Sequence, residues 1–224
     1  MNILNDLAQV GAVYTDDHLV LTSGLHGSVY INMRVIAPEV TLIDDIGMKL
    51  SQTIAEDLDS HDSDSYVLVG PETLGRTRAG AVALYIEDGI TVWCNLDGEG
   101  GGKRASLPPK MQFSDRLLPG VQAVVVDDLL TSGSSVKPVI ALLRTLGVEV
   151  LGVAVVVRRN PAVTADTLEV PYLWVLEDVD GGKTYTAEDC PMCAEGKPLR
   201  LRPGHGWKFA EQNPEHPSVL AAIN

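Results

Sequence analysis

Uninterrupted apolar runs punctuate this chain, each followed by a short polar or glycine-bearing turn and then by a stretch of helical character. Residues 66–70, 90–94, 122–126, 149–157 and 172–176 read as strands. Their near-continuous Val, Ile and Leu content, without alternation, marks strands covered on both faces. Residues 41–58, the alanine-rich residues 74–86 and the stretch opening at Val136 read as helices. Upstream, Ile3, Leu4, Leu7, Val10 and Val13 recur with a helical period, and residues 22–34 read as a turn entering a strand. Strand and helix in alternation predict an α/β fold, an open parallel sheet flanked by helices. The early segment and the tail after Gly181 are expected to add elements over the sheet's edge.

The most informative stretch is Gln-Ala-Val-Val-Val-Asp-Asp-Leu-Leu-Thr-Ser-Gly-Ser-Ser-Val, residues 122–136. It predicts a buried strand ending at Asp127 and Asp128, a loop of small polar residues, and a helix capped by Ser134 or Ser135. Ligands of open α/β sheets bind at the carboxyl ends of the strands. Thr131, Ser132, Gly133, Ser134 and Ser135 offer N–H groups and hydroxyls at a helix N-terminus, where an anion is favoured. Two carboxylates repel a phosphate, so they suit ribose hydroxyls or a divalent cation instead. A 5-phosphoribosyl group has both features. The plain alternative is a helix-start charge pair with ordinary serine caps. The doublets Asp16-Asp17 and Asp44-Asp45 show that Asp-Asp alone means little, so the order of strand, carboxylates, loop and helix carries the reading.

Composition narrows the classes. With 224 residues, 45% of them hydrophobic, the chain is long enough for one well-buried domain and a small appendage. Seventeen Lys and Arg against thirty Asp and Glu give a net charge of −13, with no basic tract, which argues against a duplex nucleic-acid partner. An acidic surface also repels anionic substrates at long range, so a phosphate site here must rely on local donors. No apolar run approaches the roughly 20 residues that span a bilayer. The first residues have neither the basic start nor the apolar core of a signal peptide, and a cytoplasmic location is expected. Three cysteines do not read as a disulfide framework. Cys190-Pro-Met-Cys193 has the spacing of half a zinc knuckle, for which Cys94, His205 and His216 are the completions considered. A redox pair is another reading, and a structural turn is preferred to both.

The 122–136 segment resembles the phosphoribosyl pyrophosphate (PRPP) motif of type I phosphoribosyltransferases, and over residues 19–160 the chain resembles the orotate phosphoribosyltransferase family. Leu21-Thr22-Ser23-Gly24 with Tyr30-Ile31-Asn32 is similar to that family's N-terminal hood, although Thr22 stands where a lysine is common. Gly70-Pro71-Glu72-Thr73-Leu74-Gly75 resembles its pyrophosphate-binding turn, where small residues let backbone N–H groups approach an anion. Val157-Arg158-Arg159-Asn160 is similar to the site of the arginine that holds the orotate carboxylate, with Arg158 in place of the family's Asp. The family's mobile catalytic loop corresponds to residues 97–113. No Arg-Lys pair follows the second strand here, and Lys103, Arg104 and Lys110 are the cations available.

The resemblance implies a type I phosphoribosyltransferase-like sheet with a hood over residues 1–40 in a domain of residues 1–180, and residues 181–224 as an extension packed on it. It implies Mg²⁺-dependent transfer of the 5-phosphoribosyl group from PRPP to orotate, giving orotidine 5′-monophosphate and pyrophosphate. Asp127, Asp128, Lys103 and Arg104 take the catalytic roles, residues 131–135 the 5′-phosphate, and Pro71, Glu72, Thr73 and Leu74 the pyrophosphate. Arg159, Tyr30 and Ile31 take the orotate. Mg²⁺ is expected to be carried mainly by PRPP, with Asp127 or Asp128 reaching it through water. A homodimer without nucleic-acid or membrane partners is expected. A transferase for another nucleobase and a PRPP-binding regulator remain as alternatives. A dinucleotide-binding fold is disfavoured, because no Gly-x-Gly-x-x-Gly follows the first strand.

Overall fold

A computed structural model of the chain describes residues 2–21, 23–58, 66–72, 74–86, 89–98, 102–109, 117 and 119–223. It begins with helix α1 (Ile3–Gln9), whose Asn2 cap accepts a hydrogen bond from the Asn5 N–H. The helix is shorter than its apolar period implies. Gly11, at φ 74°, turns the chain, so Val13 belongs to the next strand. Four two-residue strands follow: β1 (Val13–Tyr14), β2 (Leu19–Val20), β3 (His26–Gly27) and β4 (Tyr30–Ile31). The middle of the chain supplies α2 (Val40–Leu58), β5 (Val67–Pro71), α3 (Leu74–Ala83), β6 (Ile90–Asp97), β7 (Arg104–Ser106), β8 (Gln122–Leu130), α4 (Val136–Thr145), β9 (Glu149–Arg158), α5 (Ala165–Leu168) and β10 (Tyr172–Asp178). The tail adds β11 (Thr184–Tyr185), α6 (Pro191–Ala194), α7 (Gly206–Gln212) and α8 (Pro217–Ile223).

Contacts group these elements into two units, Ile36–Val179 and a second made of Asn2–Val35 with Asp180–Asn224. The first unit contains the sheet, in the order β10-β9-β8-β5-β6-β7. All neighbours are parallel except β6 and β7. Counted along the chain, the five parallel strands lie in the order 2-1-3-4-5, a doubly wound arrangement whose connections reverse direction between the first and third strands, β5 and β8. That point is where an open α/β sheet forms its ligand crevice.

The apolar runs become the core. Val69, Val125, Val153 and Val155 are fully buried and pack with Val139, Ile140 and Leu143 of α4. On α2, Leu42, Ile46, Leu50, Ile54 and Leu58 recur every four residues and form its buried stripe. Trp174 of β10 donates from Nε1 to Asp57 of α2 at 2.8 Å. Between α2 and α3 the approach is so close that a Cβ on Gly47 would stand 2.6 Å from the Ala81 carbonyl oxygen.

The second unit is built differently. β2, β3 and β11 form a three-stranded antiparallel sheet that joins the two ends of the chain, with Val20 and Tyr185 both opposite His26. One of its buried apolar clusters consists of Val20, Leu199 and Val219 with a few half-buried neighbours, and Ile3, Leu7, Leu19, Ile31 and Met33 are buried as well. The expected grouping put the early segment with the sheet. The structure groups it with the tail instead, because β11 adds to β3 across the length of the chain.

The tightness at Gly47 is testable. Gly47→Ala is expected to destabilise the protein by about 1–3 kcal/mol in urea unfolding, as overpacking against backbone does. Gly80→Ala on α3, where a Cβ meets nothing within 4 Å, is expected to be neutral or to stabilise by up to about 1 kcal/mol. Equal effects at the two positions would show that the close contact is absent.

Candidate functional site

Asp127 and Asp128 do not end their strand. The sequence pattern stops at Val126, but β8 continues to Leu130 because its ladder with β9 persists: Asp127 opposes Val155, and Leu130 opposes Arg158. On its other side, the pairing of β8 with β5 stops at Val125. The carboxylates therefore lie where the sheet is still closed on one side and has opened on the other, at the switch point. Both are buried, with 5% and 9% exposure, and the Asp127 carboxylate accepts from the Asp128 N–H at 2.9 Å.

The two acids differ in degree. Burial, and then repulsion from Asp128, hold the Asp127 carboxyl well above the usual carboxylate range. Burial also raises Asp128, and the hydrogen bonding with Asp127 and the Arg78 guanidinium oppose that rise. Arg78 is the functional candidate that the pattern gave least reason to pick out. It lies on α3, fully buried, with none of its three guanidinium nitrogens hydrogen-bonded among the described residues. Burial lowers its pKa, while Asp128 and Asp127, in that order, hold it up. An arginine inside the apolar side of a small-residue helix is the one available signal, and it is weak.

The loop between β8 and α4 keeps its expected composition. Gly133 sits at φ 77°, a conformation suited to glycine, and its carbonyl accepts from the Lys137 N–H at 2.9 Å. Ser135 occupies the cap position of α4 but makes no side-chain capping bond, contrary to its expected role. Its hydroxyl accepts instead from Lys103 Nζ at 3.4 Å. Lys103 arrives on the turn into β7, an antiparallel addition to β6 that packs along α4, and its charge also lowers the Asp127 pKa. Arg104 is on the same hairpin and exposed, paired in register with Asp97. Lys110 lies outside the described residues.

The turn after β5 adjoins this place. A Cβ on Gly70 would stand 2.4 Å from Gly75, and one on Gly75 would stand 2.8 Å from the Val126 carbonyl oxygen. Small residues at both positions thus let the turn fold flat against the strand that bears the carboxylates. Pro71 is buried, Glu72 is exposed with its N–H bonded to the Cys94 carbonyl, and Leu74 opens α3. Thr73 lies outside the described residues. Arg76 stacks over the Trp93 ring at 4.8 Å, which settles its role as packing.

At the end of β9 the two arginines separate. Arg158 makes a two-pronged ion pair with Asp178 of β10, at 2.6 and 2.8 Å. Arg159, half-buried, donates its N–H to the Leu130 carbonyl and so stands where the loop of residues 131–135 begins. Tyr30 and Ile31 lie in the second unit on β4, opposite Tyr14 and Val13. Tyr30 is half-buried and Ile31 buried. Cys94 is fully buried in the sheet core, which pushes its thiol up to about 12.

A buried carboxylate pair, a polar loop at a helix start and a tight glycine turn thus lie together at the switch point of a 2-1-3-4-5 sheet, the arrangement of a ligand-binding α/β protein. Residues 40–173 match the phosphoribosyl transferase domain family. An orotate phosphoribosyltransferase of Caldanaerobacter subterraneus is 31% identical over 194 residues, 86% of this chain and 90% of that protein. The crystal structure of orotate phosphoribosyltransferase from Aeropyrum pernix superposes with a TM-score of 0.58 at 25% identity, over 80% of this chain and 93% of that one. That of the Mycobacterium tuberculosis enzyme in complex with PRPP does so with a TM-score of 0.55 at 19% identity, over 79% and 94%, a likeness of fold. The chain belongs to the phosphoribosyl transferase family, among the orotate phosphoribosyltransferases. No helix among the described residues is long and apolar enough to cross a membrane.

The electrostatics of Asp127 give a signed prediction. Because its folded pKa is raised, the native chain keeps a proton that the unfolded chain releases, and stability falls as pH rises from the unfolded value of about 3.9 towards the folded one. Asp127→Asn is therefore expected to raise the melting temperature at pH 7 by about 2 °C or more. The gain should shrink towards zero below about pH 4, where both states are protonated. A variant that melts below the parent at pH 7 would show an ionised Asp127 stabilised by its neighbours.

Proposed function

We propose that the protein transfers the 5-phosphoribosyl group of PRPP to orotate, releasing pyrophosphate. The observation that carries the chemistry is the buried Asp127–Asp128 pair beside the helix-start loop at the sheet's switch point. The choice of base rests on the 31%-identical relative and on Arg159 beside that loop. In this reading the loop of residues 131–135 binds the 5′-phosphate through its N–H groups and hydroxyls, at the start of a ten-residue helix whose first amides lack internal acceptors. Asp128 and Asp127 accept hydrogen bonds from the ribose hydroxyls, and Arg78 supplies the positive charge that balances them from below.

Asp127 and Asp128 are adjacent and buried, and a hydrated Mg²⁺ beside them would favour their ionised, acceptor-only form, so the residues fit that ion. Held with PRPP, and through water by Asp127 or Asp128, Mg²⁺ would supply neutralising charge to the pyrophosphate. The rest of the work falls to the chain. As pyrophosphate leaves, positive charge develops at the anomeric carbon, and the carboxylates below it favour that charge. Lys103, with Arg104 on the same hairpin, meets the leaving group, and the turn of residues 71–74 receives it. Arg159 fixes the orotate carboxylate with its guanidinium fork. Tyr30 and Ile31 are assigned to the base through the resemblance of their segment to the family's hood. Orotate attacks through its ring nitrogen, so the protein needs to position and desolvate the reactants but not to form a covalent bond.

Mixing protein, PRPP and Mg²⁺ with orotate, uracil, adenine or hypoxanthine tests this directly. Loss of orotate absorbance alone is expected. Arg159→Lys should raise the KM for orotate about ten-fold or more while leaving that for PRPP within a few-fold, since an ammonium cannot make the bidentate pair. Turnover of another base, or binding of PRPP without any turnover, would move the assignment to a transferase of different specificity or to a sensor.

We further propose a cytoplasmic homodimer. Val40 and Leu84 are 74% and 75% exposed, and Tyr85, whose hydroxyl donates to Asp44 one turn beyond Val40, is 42% exposed. Apolar surface on α2 and the end of α3 is thus available for a partner copy. Light scattering at micromolar concentration should give twice the chain mass of 24.0 kDa, and a monomer mass would refute this part.

A further inference from the structure

Four side chains of the second unit converge without any role in the reaction above. His18, His26, Cys190 and Cys193 each turn one ligand atom to a common point, and these atoms all lie within 4.8 Å of one another. His18 Nε2 is 3.0 Å from His26 Nδ1, 3.7 Å from the Cys190 sulfur and 3.5 Å from the Cys193 sulfur. The Cys193 sulfur is 3.3 Å from His26 Nδ1. A tetrahedron built with zinc–nitrogen and zinc–sulfur bonds of ordinary length has edges of about 3.3 Å between nitrogens and about 3.6 Å between nitrogen and sulfur. The observed separations match those edges.

We propose that His18, His26, Cys190 and Cys193 form a structural zinc site. The sequence alone considered Cys94, His205 and His216 as completions of the Cys190–Cys193 pair, and the structure replaces all three. Cys94 is in the sheet core, His205 precedes α7, and His216 accepts from the Ser218 N–H and meets Phe209 edge-on.

The surroundings are those of a ligand set held in place. His18 Nδ1 lies 2.9 Å from the Lys197 carbonyl oxygen, which can only accept. The proton is therefore on Nδ1, and the Nε2 lone pair faces the cluster, the arrangement that orients a metal-bound histidine. The His26 ring is fixed edge-on against Phe209, at 4.8 Å. Cys190 caps the short helix α6, and Gly196, at φ 67°, closes the turn after Cys193 with its N–H bonded to the Cys193 carbonyl. His18, His26 and Cys190 are at most 1% exposed. Four protein ligands in a buried place leave no open position, so the site is closed and its role is structural. Two imidazole nitrogens and two thiolates suit zinc by both softness and geometry.

The unit that carries the cluster is built from short elements. Its described strands are two residues long and its helices span four to seven residues. Small units of this kind commonly need a disulfide or a metal. The ligands come in pairs from the two ends of the chain, so one ion would tie the β2–β3 hairpin to the α6 turn.

Elemental analysis of the full chain, purified under reducing conditions without chelator, is expected to give one zinc per chain. Cys190→Ser with Cys193→Ser should abolish it. Because that variant may not fold, the reduced wild-type protein, stripped of metal, is also titrated with Co²⁺. Tetrahedral d–d bands with thiolate charge transfer, reversed by stoichiometric Zn²⁺, are expected, together with a lower melting temperature for the stripped protein. Well under half an equivalent of zinc with no such bands, iron in place of zinc, or a Cys190–Cys193 disulfide in protein isolated without reductant would each overturn the proposal.

Discussion

Asp127 and Asp128 are held where water is largely excluded, and the architecture around the switch point follows from keeping them there. Two adjacent carboxylates lose solvation on burial and repel each other. The backbone compels their position, because β8 stays in register with β9 through Leu130. Leaving that ladder would strand buried N–H and C=O groups at a cost comparable to the burial it relieved. Arg78 is the counterweight within the fold. Its guanidinium stays charged at any ordinary pH, and its N–H groups have no hydrogen-bond partner among the described residues. A site with surplus acceptors and surplus donors side by side is prepared for a ligand that brings both hydroxyls and negative charge.

That preparation matters in a chain of net charge −13. Long-range attraction does not gather an anion here. Screening confines most surface repulsion to about 8–10 Å at physiological salt, so what decides binding is the field of the last few ångströms. Lys103 on the Ser135 hydroxyl, the amides at the start of α4 and the flat glycine turn against β8 all act at that range. The chemistry is thereby made short-ranged. In the proposed reading, encounter is not accelerated by steering, and an arriving phosphate would meet oriented donors that need little rearrangement.

What could be read from the sequence follows from how local its cause is. Continuous apolar runs gave the five parallel strands because burial on both faces leaves no alternation to misread, and the order of strand, carboxylates, loop and helix marked the segment that the fold brings to its switch point. The extension of β8 through two aspartates was hidden, since Asp disfavours strands by itself and only the ladder with β9 overrides that. Lys103 stands out in sequence only as one of the cations of residues 97–113, whereas its contact with Ser135 depends on β7 doubling back along β6. Arg78 takes its place beside the carboxylates only once α3 packs against β8. The joining of the early segment to the tail rests on β3 pairing with β11, more than 150 residues apart. His18 and His26 were unremarkable in sequence because the cysteines that give them meaning are equally distant.

The two units show two ways to hold a chain together. In the first, parallel strands of five to ten residues and an apolar stripe on each of α2 and α4 bury enough surface to offset the entropy of ordering. In the second, short elements bury Ile3, Leu7, Leu19, Ile31 and Val219 and add polar ties: the buried His18 ring on the Lys197 carbonyl, and at the surface the Arg200–Asp17 ion pair and the Lys197 ammonium on the Asp16 carbonyl. Exposed ties of that kind contribute little singly. A metal held by residues 18, 26, 190 and 193 would act on a different quantity. The loop it closes contains the whole of the sheet unit, and the entropy removed from an unfolded chain by a cross-link grows, slowly, with the length enclosed. One ion placed near the two ends of the chain would restrict the unfolded state of nearly everything between them, and would do so from a unit whose described strands and helices are each at most seven residues long.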